Sequence, residues 1–63
     1  MTQKELLYVE DAIGHETSLE KILEDSILNM EDASLKSFLE KEKEIHKKRK
    51  ESLLELLEVE VNE

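Results

Sequence analysis

The chain has 63 residues, of which 41% are charged, with one glycine, no proline and no cysteine. Its net charge of −8 argues against nucleic-acid binding, because contacts to phosphates need a basic surface. A chain this short forms at most a single domain (residues 1–63) and buries only about 60% of its unfolded surface, so its core is thin unless copies associate.

The first predicted element is a helix over about residues 3–29. Thr2 and Glu5 have the spacing of a capping box, in which each side chain bonds the backbone of the other residue. Alternating steps of three and four residues then mark one stripe of the helix. The stripe is apolar at both ends and acidic in its middle, and it consists of Leu6, Val9, Ile13, Glu16, Glu20, Leu23, Ile27 and Met30.

A turn is predicted over about residues 29–33. Asp32 is a good N-cap, because its carboxylate can accept hydrogen bonds from the free N–H groups of a following helix. Asn29 tolerates the left-handed conformation that often ends a helix. Two helices therefore meet here and run antiparallel.

The second helix is predicted over about residues 33–59. Its stripe is also apolar at the ends and polar in the centre: Leu35, Leu39, Glu42, His46, Arg49, Leu53 and Leu56. Folding the chain about residue 31 brings Glu16 opposite His46 and Glu20 opposite Glu42. Because buried carboxylates without partners cost several kcal/mol, we expect Glu16, Glu20 or Glu42 to reach His46, Arg49 or a cation, or else to take up a proton.

A second arrangement of the middle is open at this point. A straight helix drifts about 20° per heptad against a strict 3.5-residue repeat. Leu19, Ile22 and Ile45 would then supply the middle of the core, and the glutamates would flank it. The pattern of residues does not decide between the two arrangements.

The fold class is thus all-α, an antiparallel two-helix hairpin. Two helices side by side leave most of each apolar stripe wet, and no disulfide staples them. We expect a homodimer or higher homo-oligomer, which forms a four-helix bundle. The predicted core and interface residues are Leu6, Val9, Ile13, Leu23, Ile27, Leu35, Leu39, Leu53 and Leu56.

The sequence predicts a cytoplasmic protein. It has no apolar run of about 7 to 15 residues, as a signal peptide needs, and no membrane-spanning stretch of about 20. The absence of cysteine fits a reducing interior.

One family resemblance spans most of the chain. The stretch Leu6 to Glu16 with its Gly-His-Glu triplet, the stretch Asp32 to Leu39, and His46 together resemble the small spore coat protein F-like proteins of the ferritin-like superfamily. The resemblance implies half of a four-helix bundle, completed by dimerisation, and an association with sporulation. Diiron members of that superfamily carry a Glu on one helix and Glu-x-x-His on the next.

Two functions follow as hypotheses. The first is a non-catalytic structural or interaction protein without a cofactor, since the sequence contains no complete catalytic motif. The alternative is a small iron or manganese protein with its site at the dimer centre. By the resemblance, Glu16 and His46 would be metal ligands, although Lys43 stands where the second glutamate belongs. Glu20 and Glu42 lie one turn from these two residues and complete the candidate set.

Overall fold

The protein folds as a helical hairpin. The computed structural model describes residues 1–62, and it describes the exposure of side chains up to Val59. Helix α1 spans Gln3–Asn29 and helix α2 spans Ala33–Asn62, with residues 30–32 between them. The described residues contain no strand, which confirms the all-α two-helix prediction. Helix α2 continues three residues past the predicted end at about 59, and Glu63 lies outside the described residues.

Helix α1 begins with the predicted capping box. The backbone N–H of Glu5 donates to the Thr2 hydroxyl at 3.1 Å, and the backbone N–H of Thr2 donates to the Glu5 carboxylate at 2.8 Å. Two N–H groups that the helix itself leaves without acceptors are therefore satisfied.

The capping box makes the start of α1 sensitive to acid. The hydrogen bond from the Thr2 backbone, with a contribution from its hydroxyl, lowers the pKa of Glu5. A carboxyl whose pKa is lowered on folding stabilises the fold above its unfolded pKa, about 4.3 for Glu, and loses that contribution as pH falls through the folded value. We expect the first turn to fray below about pH 4. In an NMR titration, Thr2→Ala should raise the Glu5 midpoint only part of the way towards its ordinary value, because it removes the hydroxyl and keeps the backbone N–H that has the larger effect. Equal midpoints in both proteins would contradict the contribution of the Thr2 hydroxyl.

The connection between the helices differs in one detail from the prediction. Met30 adopts an extended conformation, with φ −85° and ψ 128°, and no described residue has a positive φ. Asn29 is therefore not left-handed, because an extended residue already ends α1, and its side-chain amide donates to the Asp25 carbonyl at 2.7 Å. Asp32 caps α2 as predicted, since its carboxylate accepts from the Leu35 N–H at 2.9 Å.

The two helices touch along one stripe of each, which we call the contact stripe. All eight positions of the first predicted stripe are half-buried, seven of them on α1 and Met30 directly after it: Leu6, Val9, Ile13, Glu16, Glu20, Leu23, Ile27 and Met30. On α2 the half-buried residues are Leu39, Glu42, Lys43, His46, Lys50, Leu53 and Leu57. The apolar ends and polar middle predicted for each helix therefore meet each other.

Two sequence-based expectations about the middle of the hairpin are wrong. Arg49 is exposed, and Lys50 takes its place because the contact advances four residues from His46 instead of three. The alternative core of Leu19, Ile22 and Ile45 does not form between the helices, since these side chains are 36%, 58% and 42% exposed. The glutamates lie inside the contact and these apolar residues lie beside it.

The hairpin has no closed interior. Its Cα atoms extend 47 × 15 × 11 Å, and among the side chains whose exposure is described none is fully buried. No helix within the described residues is long and apolar enough to cross a membrane. Each apolar side chain of the contact stripe thus keeps one side towards solvent.

Candidate self-association face and polar layer

The middle of the contact stripe is a polar layer built around Glu16 and His46. The Nδ1 atom of His46 lies 2.6 Å from a carboxylate oxygen of Glu16, within hydrogen-bonding distance. Only 14% of the Glu16 side chain and 17% of the His46 side chain are exposed. The predicted pairing of these two residues is confirmed.

Two lysines complete the polar layer. The Lys50 ammonium lies 3.6 Å from Glu20, and the Lys43 ammonium lies 3.5 Å from Glu24. Sequence reasoning expected Arg49 as the cation and missed both lysines as partners. The signal was their position three residues before and four after His46, where a long side chain can lay its stem on the contact stripe and keep its charge at the edge.

The polar layer joins acids of α1 to bases of α2. Half-exposed ion pairs of this kind each contribute about 0 to 1 kcal/mol, so they add little to stability. Their effect is on register, because sliding one helix along the other would leave the shielded Glu16 and His46 without partners, and unpaired buried polar groups are costly. The polar layer therefore fixes how the two helices align.

The four candidate metal ligands do not converge in the hairpin. Glu16, Glu20, Glu42 and His46 are all half-buried in the contact stripe. Glu16 pairs with His46, whereas Glu20 pairs with Lys50. Within the described part of the chain, no three His, Asp or Glu side chains lie close enough together to hold a metal. A single hairpin thus does not provide the predicted ligand set.

A second apolar surface, which we call the apolar face, lies beside the contact stripe. Its six side chains are between 36% and 60% exposed: Tyr8, Leu19, Ile22, Phe38, Ile45 and Leu56. Each comes immediately before a contact residue in the sequence, as Leu19 comes before Glu20 and Ile45 before His46. One residue is a rotation of about 100° around a helix. In two antiparallel helices that face each other, the same rotation leads to the same side, so all six lie on one side of the hairpin.

The opposite side of the hairpin is mainly charged, and we call it the charged face. Its residues come immediately after contact residues, and seven of them are Glu10, Lys21, Glu24, Glu40, Lys47, Glu51 and Glu58. Leu7, Leu28 and Leu54 are isolated apolar residues among them, 55%, 81% and 43% exposed. Single exposed leucines are ordinary on protein surfaces, whereas six large apolar side chains on one side of a small hairpin are not.

Seven of the nine predicted core and interface residues belong to the contact stripe. The other two, Leu35 and Leu56, are 52% and 45% exposed in the hairpin. Both lie on the side of α2 that turns towards the apolar face. Their burial in an interface stays a prediction, since a second molecule would have to cover them.

Comparisons of the chain with protein-family models, with curated proteins and with solved structures gave no match. The resemblance to the spore coat protein F-like proteins therefore depends on the residue patterns alone. The polar layer and the apolar face are the features from which a function can be argued.

Proposed function

We propose that this protein is a non-catalytic structural or interaction protein whose hairpins pair through the apolar face into a homodimeric four-helix bundle. The observation that carries the proposal is that the two opposite sides of the hairpin differ in polarity. One side presents six large apolar side chains and the other presents mainly charge. A hairpin with two such sides covers its apolar face most simply with the same face of a second copy.

The exposed area supports a dimer of ordinary size. A compact monomer of 7.4 kDa exposes about 4,200 Å². This hairpin exposes 5024 Å², an excess of about 800 Å², which is close to what each partner buries in a standard interface. Covering the apolar face would therefore bring the exposed surface to the usual range.

The bundle would also explain the resemblance noted in the sequence. Half of a ferritin-like bundle becomes a whole one on dimerisation, and Leu35 and Leu56 would then join the core. By the same resemblance, we infer an association with the spore.

Sedimentation equilibrium at about 0.15 M salt tests the proposal, because salt screens the repulsion between chains of net charge −8. We expect a species of twice the 7.4 kDa chain mass at micromolar concentration. The thermal unfolding midpoint should rise with protein concentration, as it does when folding and association are linked. A folded monomer with a concentration-independent midpoint would contradict the proposal.

A metal site at the dimer centre is the second candidate. The contact between Glu16 and His46 favours it, because a dimer would bring two such pairs into one bundle. The two ammonium groups of Lys43 and Lys50 in the same layer oppose it, since they compete for the carboxylates. Stoichiometric iron or manganese in the purified dimer would support this candidate, and its absence after growth with both metals would contradict it.

A further inference from the structure

Two face-to-face dimers are possible for this hairpin. If the twofold axis runs along the helices, the two turns lie at the same end and each α1 packs on the partner's α2. If the axis runs across the helices, the turns lie at opposite ends and each helix packs antiparallel on its own copy. The distribution of charge on the apolar face distinguishes the two.

Two charged residues of α2 lie on the side of the apolar face: Arg49, which is exposed, and Glu42, which is itself half-buried at that edge of the contact stripe. Each comes immediately before a contact residue, so both lie on the same side as Ile45. Three ion pairs link α1 and α2 in the described residues, and neither Glu42 nor Arg49 takes part in them. They are seven residues apart, which is two turns or about 10 Å along the helix. Glu42 is therefore available to a base of a second molecule, and Arg49 is available to an acid.

We propose that the second copy docks with its turn at the opposite end, so that Glu42 of each hairpin pairs with Arg49 of the other. This inference depends on the self-association proposed above. Antiparallel pairing of two α2 helices around Ile45 matches Glu42 with Arg49 twice, and in the same register it matches Leu35 with Leu56. In that register the twofold axis passes between Ile45 and His46, so each Ile45 lies within one residue of its own copy, and Phe38 lies within one residue of the small Ser52.

Helix α1 fits the same arrangement. Its residues on the same side are Tyr8, Ala12, His15, Leu19, Ile22 and Ser26. Antiparallel pairing around Thr17 sets Tyr8 against Ser26 and Ala12 against Ile22, which are large side chains against small ones. The pairing centres of α1 and α2 lie at the same height, because Glu16 and His46, beside these centres, are 2.6 Å apart. A single twofold axis therefore satisfies both helices.

The arrangement with both turns at the same end does not match the charges. Helix α2 would then lie over α1 of the partner, and each α2 residue would meet the α1 residues that lie level with it within a single hairpin. Glu42 would meet Leu19 or Ile22, and Arg49 would meet Ala12 or His15. Neither the carboxylate of Glu42 nor the guanidinium of Arg49 would then meet an opposite charge, and covering a charged group without such a partner is unfavourable. A polar pair within an otherwise apolar helical interface commonly sets its orientation.

The turn reports the orientation directly. The chain contains no cysteine, so Glu31→Cys introduces a single attachment point for a spin label in the exposed turn. Dipolar electron resonance on the dimer should give a label separation of about the hairpin length, 47 Å. Turns at the same end would bring the labels within about 20 Å, roughly two interhelical spacings, and would overturn the orientation while leaving self-association intact. A protein that is monomeric without the label would overturn both proposals.

Charge exchange tests the pairing itself. Glu42→Arg and Arg49→Glu should each raise the dissociation constant of the dimer about tenfold or more, and the double exchange should restore it to within about threefold. Glu40 and Lys47 are the matched control, because they have the same spacing on the charged face, and exchanging them should leave the dissociation constant unchanged. If the double exchange of Glu42 and Arg49 shows only the product of the single effects, the pairing is overturned.

Discussion

Replacing Leu23 with alanine is expected to lower the free energy of unfolding by about 2 to 5 kcal/mol. Leu23 lies in the contact stripe and is half-buried within the hairpin, and the proposed bundle would bury the rest of it. The loss combines the hydrophobic transfer of the removed atoms with the cavity that they leave. Denaturant unfolding followed by circular dichroism measures it.

Leu28→Ala is the matched control for this substitution. Leu28 lies on the same helix and undergoes the same chemical change, but it is 81% exposed on the charged face. Leucine and alanine are both strong helix formers, so helix propensity contributes little to either variant. We expect Leu28→Ala to change stability by less than about 0.5 kcal/mol. A loss below about 1 kcal/mol for Leu23→Ala would mean that the contact stripe is wrongly aligned.

Ile45→Glu is expected to dissociate the dimer. Ile45 lies at the centre of the apolar face, where the proposed twofold axis would bring two copies of it together. Losing an apolar side chain from each partner costs about 1.5 to 3 kcal/mol per side chain, before any penalty for a buried carboxylate. The dissociation constant should therefore rise at least about a hundredfold, measured by sedimentation or by dilution of a labelled dimer.

Leu54→Glu is the control that distinguishes disruption of the apolar face from the added negative charge as the cause of dissociation. Leu54 is 43% exposed and Ile45 is 42% exposed, both are on α2, and each substitution adds one negative charge. They lie on opposite faces of the hairpin. The Leu54 variant should remain dimeric. Equal dissociation by the two variants would show that the apolar face is not the interface.

The paired glutamate and histidine are the part of the candidate site that the sequence predicted best. Counting back from the turn aligned Glu16 with His46, because a short connection between two regular helices leaves little freedom of register. The cations were predicted less well. A step of three residues from His46 predicts Arg49 as the next contact residue, whereas the contact takes a step of four and reaches Lys50. A strict repeat of three and four does not show at which turn the longer step falls.

The apolar face escaped the sequence-based prediction for a related reason. The sequence offers Leu19, Ile22 and Ile45 only as an alternative to the polar layer, since one helix alone shows two neighbouring apolar stripes and does not indicate which of them makes the contact. Packing ranks them. Once Glu16 and His46 occupy the contact, the apolar residues one position earlier must lie beside it.

The amino-acid sequence determined the two helices, the cap at each helix start and the polar middle of the contact, because these depend on local hydrogen bonding and on periodicity. Only the tertiary structure decided that Lys50 replaces Arg49 and that Tyr8, Leu19, Ile22, Phe38, Ile45 and Leu56 share one side of the hairpin. The side on which a residue lies depends on how each helix is rotated about its axis. That rotation is set by the contact between the helices, which no single helix contains.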